Sequence, residues 1–211
     1  MDQSANKGKG TDKDLLDLHF RECNLEIEND SFEDLFRYLD SPKTLRECVK
    51  KKRYQKNKMK AENNYKKYLD KPLPLFLYTL KKAKDEFYKD FLNPNGDNVF
   101  CRFTLKDESV LKLKGLYSYC VDGTIVYVGR CRDEFGKRIN SGYGHISPKN
   151  CYLDGQSTNC HVNTLVHKYR DRISFYVLPM TNNKEIEEKE KVLISIFDPE
   201  WNKVLKSKKV K

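Results

Sequence analysis

The chain has 211 residues, enough for one ample core or for a domain of about a hundred residues plus a smaller one. It carries a formal net charge of +10, with 34% charged and 38% hydrophobic residues. A basic excess of this size favours a polyanionic partner, because Lys and Arg displace the counterions condensed on nucleic acid. No run approaches the roughly 18 apolar residues of a spanning helix, and the opening MDQSANKGKGTDKD holds no apolar signal core, so a cytoplasmic protein with no membrane partner is expected. Seven widely spread cysteines with no CxxC point away from a disulfide framework. Cys160, His161 and His167, with Cys151 upstream, match no common zinc spacing, so reduced and buried thiols are expected.

Residues 1–13 are polar and predict a disordered basic tail. From 14 to 98 the pattern predicts a helical, basic region. DLLDLHF and SFEDLFRYLD read as short amphipathic segments, the second with Ser31 as its N-cap. Next comes LRECVKKKRYQKNKMKAENNYKKYLDK, with eleven Lys and Arg and three interleaved tyrosines between 46 and 71. Such a run suits a helix that grips a nucleic-acid backbone, with Lys52 and Arg53 as contact candidates; a solvated face and a homodimer surface are its other uses. Pro72 and Pro74 close the run, LFLYTLKKAKDEFYKDFL is a further helix, and NPNGDN ends the helical half.

After Val99 the apolar period becomes alternation. VFCRFTL, KGLYSYCV, TIVYVGR and ISFYVLP predict strands, and EFGKRIN a short helix. The segment NNKEIEEKEKVLISIF predicts a helix with an Asn182–Glu185 capping box, stopped by DPEWN. Its apolar stripe Ile186, Leu193 and Phe197 also carries Glu190. A carboxylate in a buried stripe is either paired with a sheet Arg or Lys or held in a cleft for a metal ion or proton.

Around Asp122–Gly123 two hairpin registers compete. A two-residue turn puts Tyr117 and Tyr127 on opposite faces. A three-residue loop, Asp122 to Thr124, puts Tyr117 opposite Gly129 and Tyr119 opposite Tyr127, with Leu116, Cys120, Val126 and Val128 on the other face. The second gives the cleaner apolar face and is the expected register.

The string GLY (115–117), YVG (127–129), an arginine in FGKR (Arg138), EKVLI with Glu190, and PEWN ending in Asn202 resembles the GIY-YIG nuclease superfamily over about 112–205. The resemblance implies an α+β fold, a small antiparallel sheet flanked by helices, for a nuclease domain over 99–211. It implies divalent-metal-dependent hydrolysis of DNA phosphodiesters with Mg²⁺ or Mn²⁺. On that basis Glu190 would ligate the metal, and Tyr117 would orient or deprotonate the attacking water. Tyr127 would support the nucleophile or a phosphate oxygen, Arg138 would stabilise the phosphate charge, and Asn202 would brace the site. Arg138 lies one residue further from Gly129 than the family's spacing, which leaves Lys137 as its alternative. The family's His or Tyr one helical turn beyond the arginine falls here on Gly142, with Tyr143 and His145 as neighbouring substitutes. Tyr117 and Tyr127 are expected to share a cleft with Glu190, and removal of residues 1–95 to leave a core that folds.

The segment 141–170 exceeds what such a core needs. Its second half predicts a helix with a polar stripe, Asn159, Asn163, His167 and Arg170, suited to contacting nucleic acid or to bracing; Arg130 on the hairpin is a further DNA-contact candidate. The expected whole is a restriction- or defence-type endonuclease on double-stranded DNA. A homing or repair nuclease, or a non-catalytic DNA- or RNA-binding protein on the same fold, is the alternative.

Overall fold

The computed structural model describes residues 10–37 and 43–207, the last four as backbone only. These residues divide into two compact units, each built from separated stretches of chain. One comprises 10–28, 102–145 and 168–207, the other 29–37, 43–101 and 146–167.

The first unit opens with α1 (Asp12–Asp17), capped by Thr11 and Asp14, and with β1 (Arg21–Cys23). Residues 10–13 are therefore built into the fold: Asp12 N–H bonds the Gly123 carbonyl at 2.9 Å, and Thr11 bridges Thr124. The remainder of the expected tail lies outside the described residues. The next strand, β2 (Leu25–Phe32), contains Ser31, so Ser31 caps no helix. A single 3₁₀ turn, Leu35–Arg37, comes after it, and the rest of SFEDLFRYLD lies outside the described residues.

In the second unit the basic stretch is broken rather than continuous. Helix α2 (Leu45–Val49), capped by Thr44 and Glu47, leads through a 3₁₀ turn at Lys52–Tyr54 into α3 (Gln55–Asn64). After a turn at Lys66–Tyr68 come α4 (Leu73–Lys82) and a 3₁₀ segment, Glu86–Phe91. The buried core here holds Leu45, Val49, Tyr54, Phe76, Leu77 and Phe91. Ile146, Cys151, Tyr152 and Cys160 join that same core.

Strand β3 (Phe100–Leu105) pairs with β2 in a two-stranded sheet, and α5 (Glu108–Leu111) comes next. Strands β4 (Gly115–Val121), β5 (Thr124–Cys131) and β6 (Ile173–Pro179), with β1, make a four-stranded antiparallel sheet in the order β1-β6-β4-β5. A π-helix over Lys137–Tyr143 lies beyond β5. Short α6 (Pro148–Cys151) and α7 (Ser157–Tyr169) precede β6, and α8 (Asn183–Phe197) and α9 (Glu200–Ser207) end the described chain. The fold is thus a small antiparallel sheet flanked by helices, as expected. The helical region assigned to 14–98 is not helical throughout, because β1 and β2 lie inside it. The boundary expected near 98 is not where the units divide: 10–28 supplies an edge strand and core residues to the first unit, and 146–167 supplies core to the second.

One face of the four-stranded sheet carries Leu116, Cys120, Ile125, Val128 and Tyr176, covered by Ile186 and Leu193 of α8 and by Leu15 and Phe20. Each such side chain, fully buried, contributes about 1.5–3 kcal/mol of transfer free energy. The Asn182 side chain caps α8, accepting from Lys184 N–H at 2.9 Å, and Asp198 ends it with φ of +45°. All seven cysteines are free and buried. Among the described residues no helix is long and apolar enough to cross a membrane.

Candidate functional site

The opposite face of the hairpin gathers three phenols and a guanidinium. Tyr117 pairs with Gly129 and Tyr119 with Tyr127, which is the expected register. The way it is reached differs. Asp122 and Gly123 both have positive φ, +50° and +72°, the signature of a two-residue type I′ turn. The extra residue is taken up within the strand instead: Cys120 pairs with Ile125 and Tyr119 with Tyr127, leaving Val126 as a bulge. Ile125 therefore takes the apolar-face position expected of Val126. An Asp-Gly pair satisfies the tight turn without a third loop residue, so the offset moves into the strand.

Gly129 answers why this hairpin pairs tyrosine with glycine. A Cβ there would lie 2.5 Å from the Tyr117 hydroxyl oxygen, so only a glycine lets that ring cross β5. The Tyr117 and Tyr143 hydroxyls are 2.8 Å apart, and those of Tyr127 and Tyr143 are 3.4 Å apart. Arg138 Nε donates to Tyr117 Oη at 3.2 Å and Nη2 to Tyr143 Oη at 2.7 Å, with the guanidinium 4.6 Å from the Tyr143 ring centre. The π-helix makes this meeting. Its wider turn closes through bonds such as Gly144 N–H to the Ile139 carbonyl at 2.6 Å, stacking residue i+5 rather than i+4 over residue i. Tyr143 thereby occupies the place that an α-helix would give to Gly142.

Electrostatics fix the protonation of the cluster. Burial raises the pKa of Tyr117, against the pull of Arg138; burial likewise raises those of Tyr127 and Tyr143. Burial opposes the charge on Arg138, but the Tyr117 and Tyr143 oxygens beside it hold its pKa above the ordinary value. Near neutral pH the face presents protonated phenols and one guanidinium. The resting Tyr117 phenol can therefore orient a nucleophile, but it is not a general base.

Glu190 comes to the sheet from the other side. The pleat of β5 sends Tyr127 and Gly129 to one face and Val128 and Arg130 to the other, and α8 covers the second. Arg130 Nη1 donates to Glu190 Oε2 at 2.7 Å and lies 3.9 Å from Glu187 Oε1. Glu187 also pairs with Arg132 and, at 3.1 Å, with Lys191. Burial raises the Glu190 pKa while Arg130 lowers it. The expectation that Tyr117 and Tyr127 share a cleft with Glu190 is corrected: the two clusters flank β5 from opposite faces.

No protein-family model, curated protein or solved structure matches the chain. The site is therefore read from its own geometry.

Asn202 braces β5 as its position suggested. Its Oδ1 accepts from Val128 N–H at 2.9 Å and its Nδ2 donates to the Val128 carbonyl at 2.8 Å, so an amide stands in for a neighbouring strand. Lys137 is exposed and paired with Glu134 at 2.8 Å and Asp133 at 3.4 Å, so Arg138 alone of the two contacts the tyrosines. His145 is exposed, and Tyr143 holds the place it was a candidate for.

The polar stripe of α7 does not emerge as a reading face. Asn163 is fully buried, taking Cys101 N–H at 3.0 Å and giving to the Cys101 carbonyl at 2.8 Å, which uses both ends of its amide. Asn159 is buried against Gln156. These two brace the protein rather than contact a base. His167 and Arg170 are half-buried, Arg170 opening a 3₁₀ turn. Of the basic candidates, Arg130 is held by Glu190, Arg53 is exposed and donates to the Leu153 carbonyl at 2.9 Å, and Lys52 is exposed.

Magnesium keeps much of its water and asks the protein for one or two carboxylates. Glu190, with Glu187 one helical turn before it, meets that requirement. Among the described residues no group of three or more His, Cys, Asp or Glu converges, so an all-protein cage is not what this chain offers. The pairing of Arg130 and Arg132 with Glu187 and Glu190 was not foreseen. Its signal is the alternation of two arginines on a strand against two glutamates at helical spacing.

Proposed function

We propose that the chain is a divalent-metal-dependent endonuclease that hydrolyses DNA phosphodiester bonds, of GIY-YIG type and with a restriction or defence role. The observation that carries this reading is the convergence of Tyr117, Tyr127 and Tyr143 with Arg138 on one face of the hairpin. Arg138, fixed by two phenols, offers a planar fork of donors to a phosphate whose charge grows during hydrolysis. Protonated Tyr117 and Tyr143 add donors beside it and can hold a water or a phosphoryl oxygen in line. Glu190 would hold the metal, which when bound supplies Lewis acidity and a more acidic water. The exposed Lys52 and its basic neighbours suit non-specific contact with the duplex backbone.

The test is cleavage of supercoiled plasmid with Mg²⁺ or Mn²⁺, with the ends of the products sequenced. Wild-type protein should cut, whereas Glu190→Gln and Arg138→Ala should lose cleavage by at least about 100-fold, the scale of losing one preorganised charge-stabilising group. Cleavage by Glu190→Gln near the wild-type rate would sink the assignment.

A second reading, a DNA-binding protein on the same fold without activity, is favoured by one observation. Tyr117, Tyr127 and Tyr143 are 0–5% exposed. Duplex binding with no cleavage by the wild type under either metal would favour it.

A further inference from the structure

We propose that Arg130 is a metal-operated latch: it holds Glu190 in the metal-free protein and is released to a DNA phosphate when a divalent cation takes the carboxylate. The proposal rests on the nuclease reading and goes beyond it by coupling metal and DNA through one side chain. The geometry points to exchange rather than to a fixed pair. Arg130 Nη1 sits 2.7 Å from Glu190 Oε2, on the carboxylate that the cation would need. The Glu190 side chain is 16% exposed and that of Arg130 is 32% exposed, so the guanidinium is the member of the pair with access to solvent. Arg130 lies on β5, an edge strand of the sheet. Its second acceptor, Glu187, is 3.9 Å away and already engaged by Arg132 and Lys191, so Glu187 is a weak fallback for a displaced Arg130. A cation on Glu190 removes the best partner of Arg130 and leaves a half-solvated guanidinium facing outward. A phosphate oxygen replaces that partner with paired charge-assisted hydrogen bonds. By linkage, each ligand should then tighten the other.

The test is Mn²⁺ binding to the full chain by calorimetry, together with duplex binding by fluorescence anisotropy in Ca²⁺ or EDTA over a period in which the duplex stays intact. Arg130→Gln should bind Mn²⁺ about 10-fold more tightly, the scale of one hydrogen bond to a charged group, and Arg130→Lys should fall between it and the wild type. Arg132→Gln, which frees Glu187 but not Glu190, should change Mn²⁺ affinity by less than about 2-fold on the scale of an exposed pair. Ca²⁺ should tighten duplex binding by the wild type more than by Arg130→Gln. Unchanged or weaker Mn²⁺ binding by both Arg130 variants would overturn the latch while leaving Glu190 as the ligand. Full Mn²⁺ affinity in Glu190→Gln would overturn the metal site itself, and the latch with it.

Discussion

At Gly129 a single added methyl would collide with the Tyr117 ring, with Cζ and Oη both 2.5 Å from the new Cβ. Gly129→Ala should therefore cost about 1–3 kcal/mol, the range for forcing extra atoms into a packed core, and a urea-denaturation midpoint would measure it. The buried phenols give a second expectation. Tyr117 has its pKa raised in the folded protein, so its protonated form is favoured there. Its contribution to stability is full below the unfolded value of about 10 and declines as pH rises above it, because the unfolded chain then binds fewer protons than the native one. Between pH 10 and 11, Tyr117→Phe should lose stability less steeply than the wild type, by up to about 1.4 kcal/mol per pH unit, as read from denaturation curves at each pH. At this scale much was legible. Period-two alternation and the need for one apolar face decide where Tyr117, Tyr119 and Tyr127 point. The partner of Glu190 was not, because a buried helical carboxylate reveals that it must be paired but not on which face of the sheet its cation waits.

Among the elements, the π-helix separates family spacing from actual placement. Counting residues along an α-helix from Arg138 arrives at Gly142, whereas the wider turn delivers Tyr143. Deleting Ser141, an exposed residue inside the widened turn, should allow an ordinary α-turn that keeps the arginine and tyrosine in register. Inserting one alanine there should break their contact and cost about 1–3 kcal/mol, from the lost charged hydrogen bond and the cation–π contact. Thermal melts of the two variants would decide it, and equal losses in both would reject the argument. Neither this turn nor the bulge at Val126 can be read from local composition. Each is a one-residue surplus absorbed where tertiary packing allows. Helix α8 was legible for the opposite reason: its cap at Asn182 and its apolar stripe are both local signals. Asn163 shows the limit of such reading, since a polar stripe beside an apolar one looks the same whether its amides meet a base or a strand's backbone.

At the level of the molecule, neither unit is a continuous length of chain. Cutting at 95 would remove β1, α1 and the core residues Leu15 and Phe20 from the first unit, and would strand 146–167 without the core it completes. The fragment 96–211 should therefore lack a cooperative unfolding transition that the full chain shows, which thermal melting followed by circular dichroism would reveal; a sharp melt in the fragment would contradict the division. This reverses the sequence expectation, and the reason is physical. A three-residue strand such as Arg-Glu-Cys carries too little pattern to declare its partner, and charge runs drew the eye to a boundary that packing does not respect. The same interleaving has a consequence in time. As the chain leaves the ribosome, Arg21 emerges long before Val177, its partner in the sheet, and Leu45 long before Cys160, which shares its core. Loop-closure entropy must be met before either pairing stabilises anything. Both units thus stay incomplete until late in synthesis, with aromatic strands and a basic helical stretch exposed together on one growing chain.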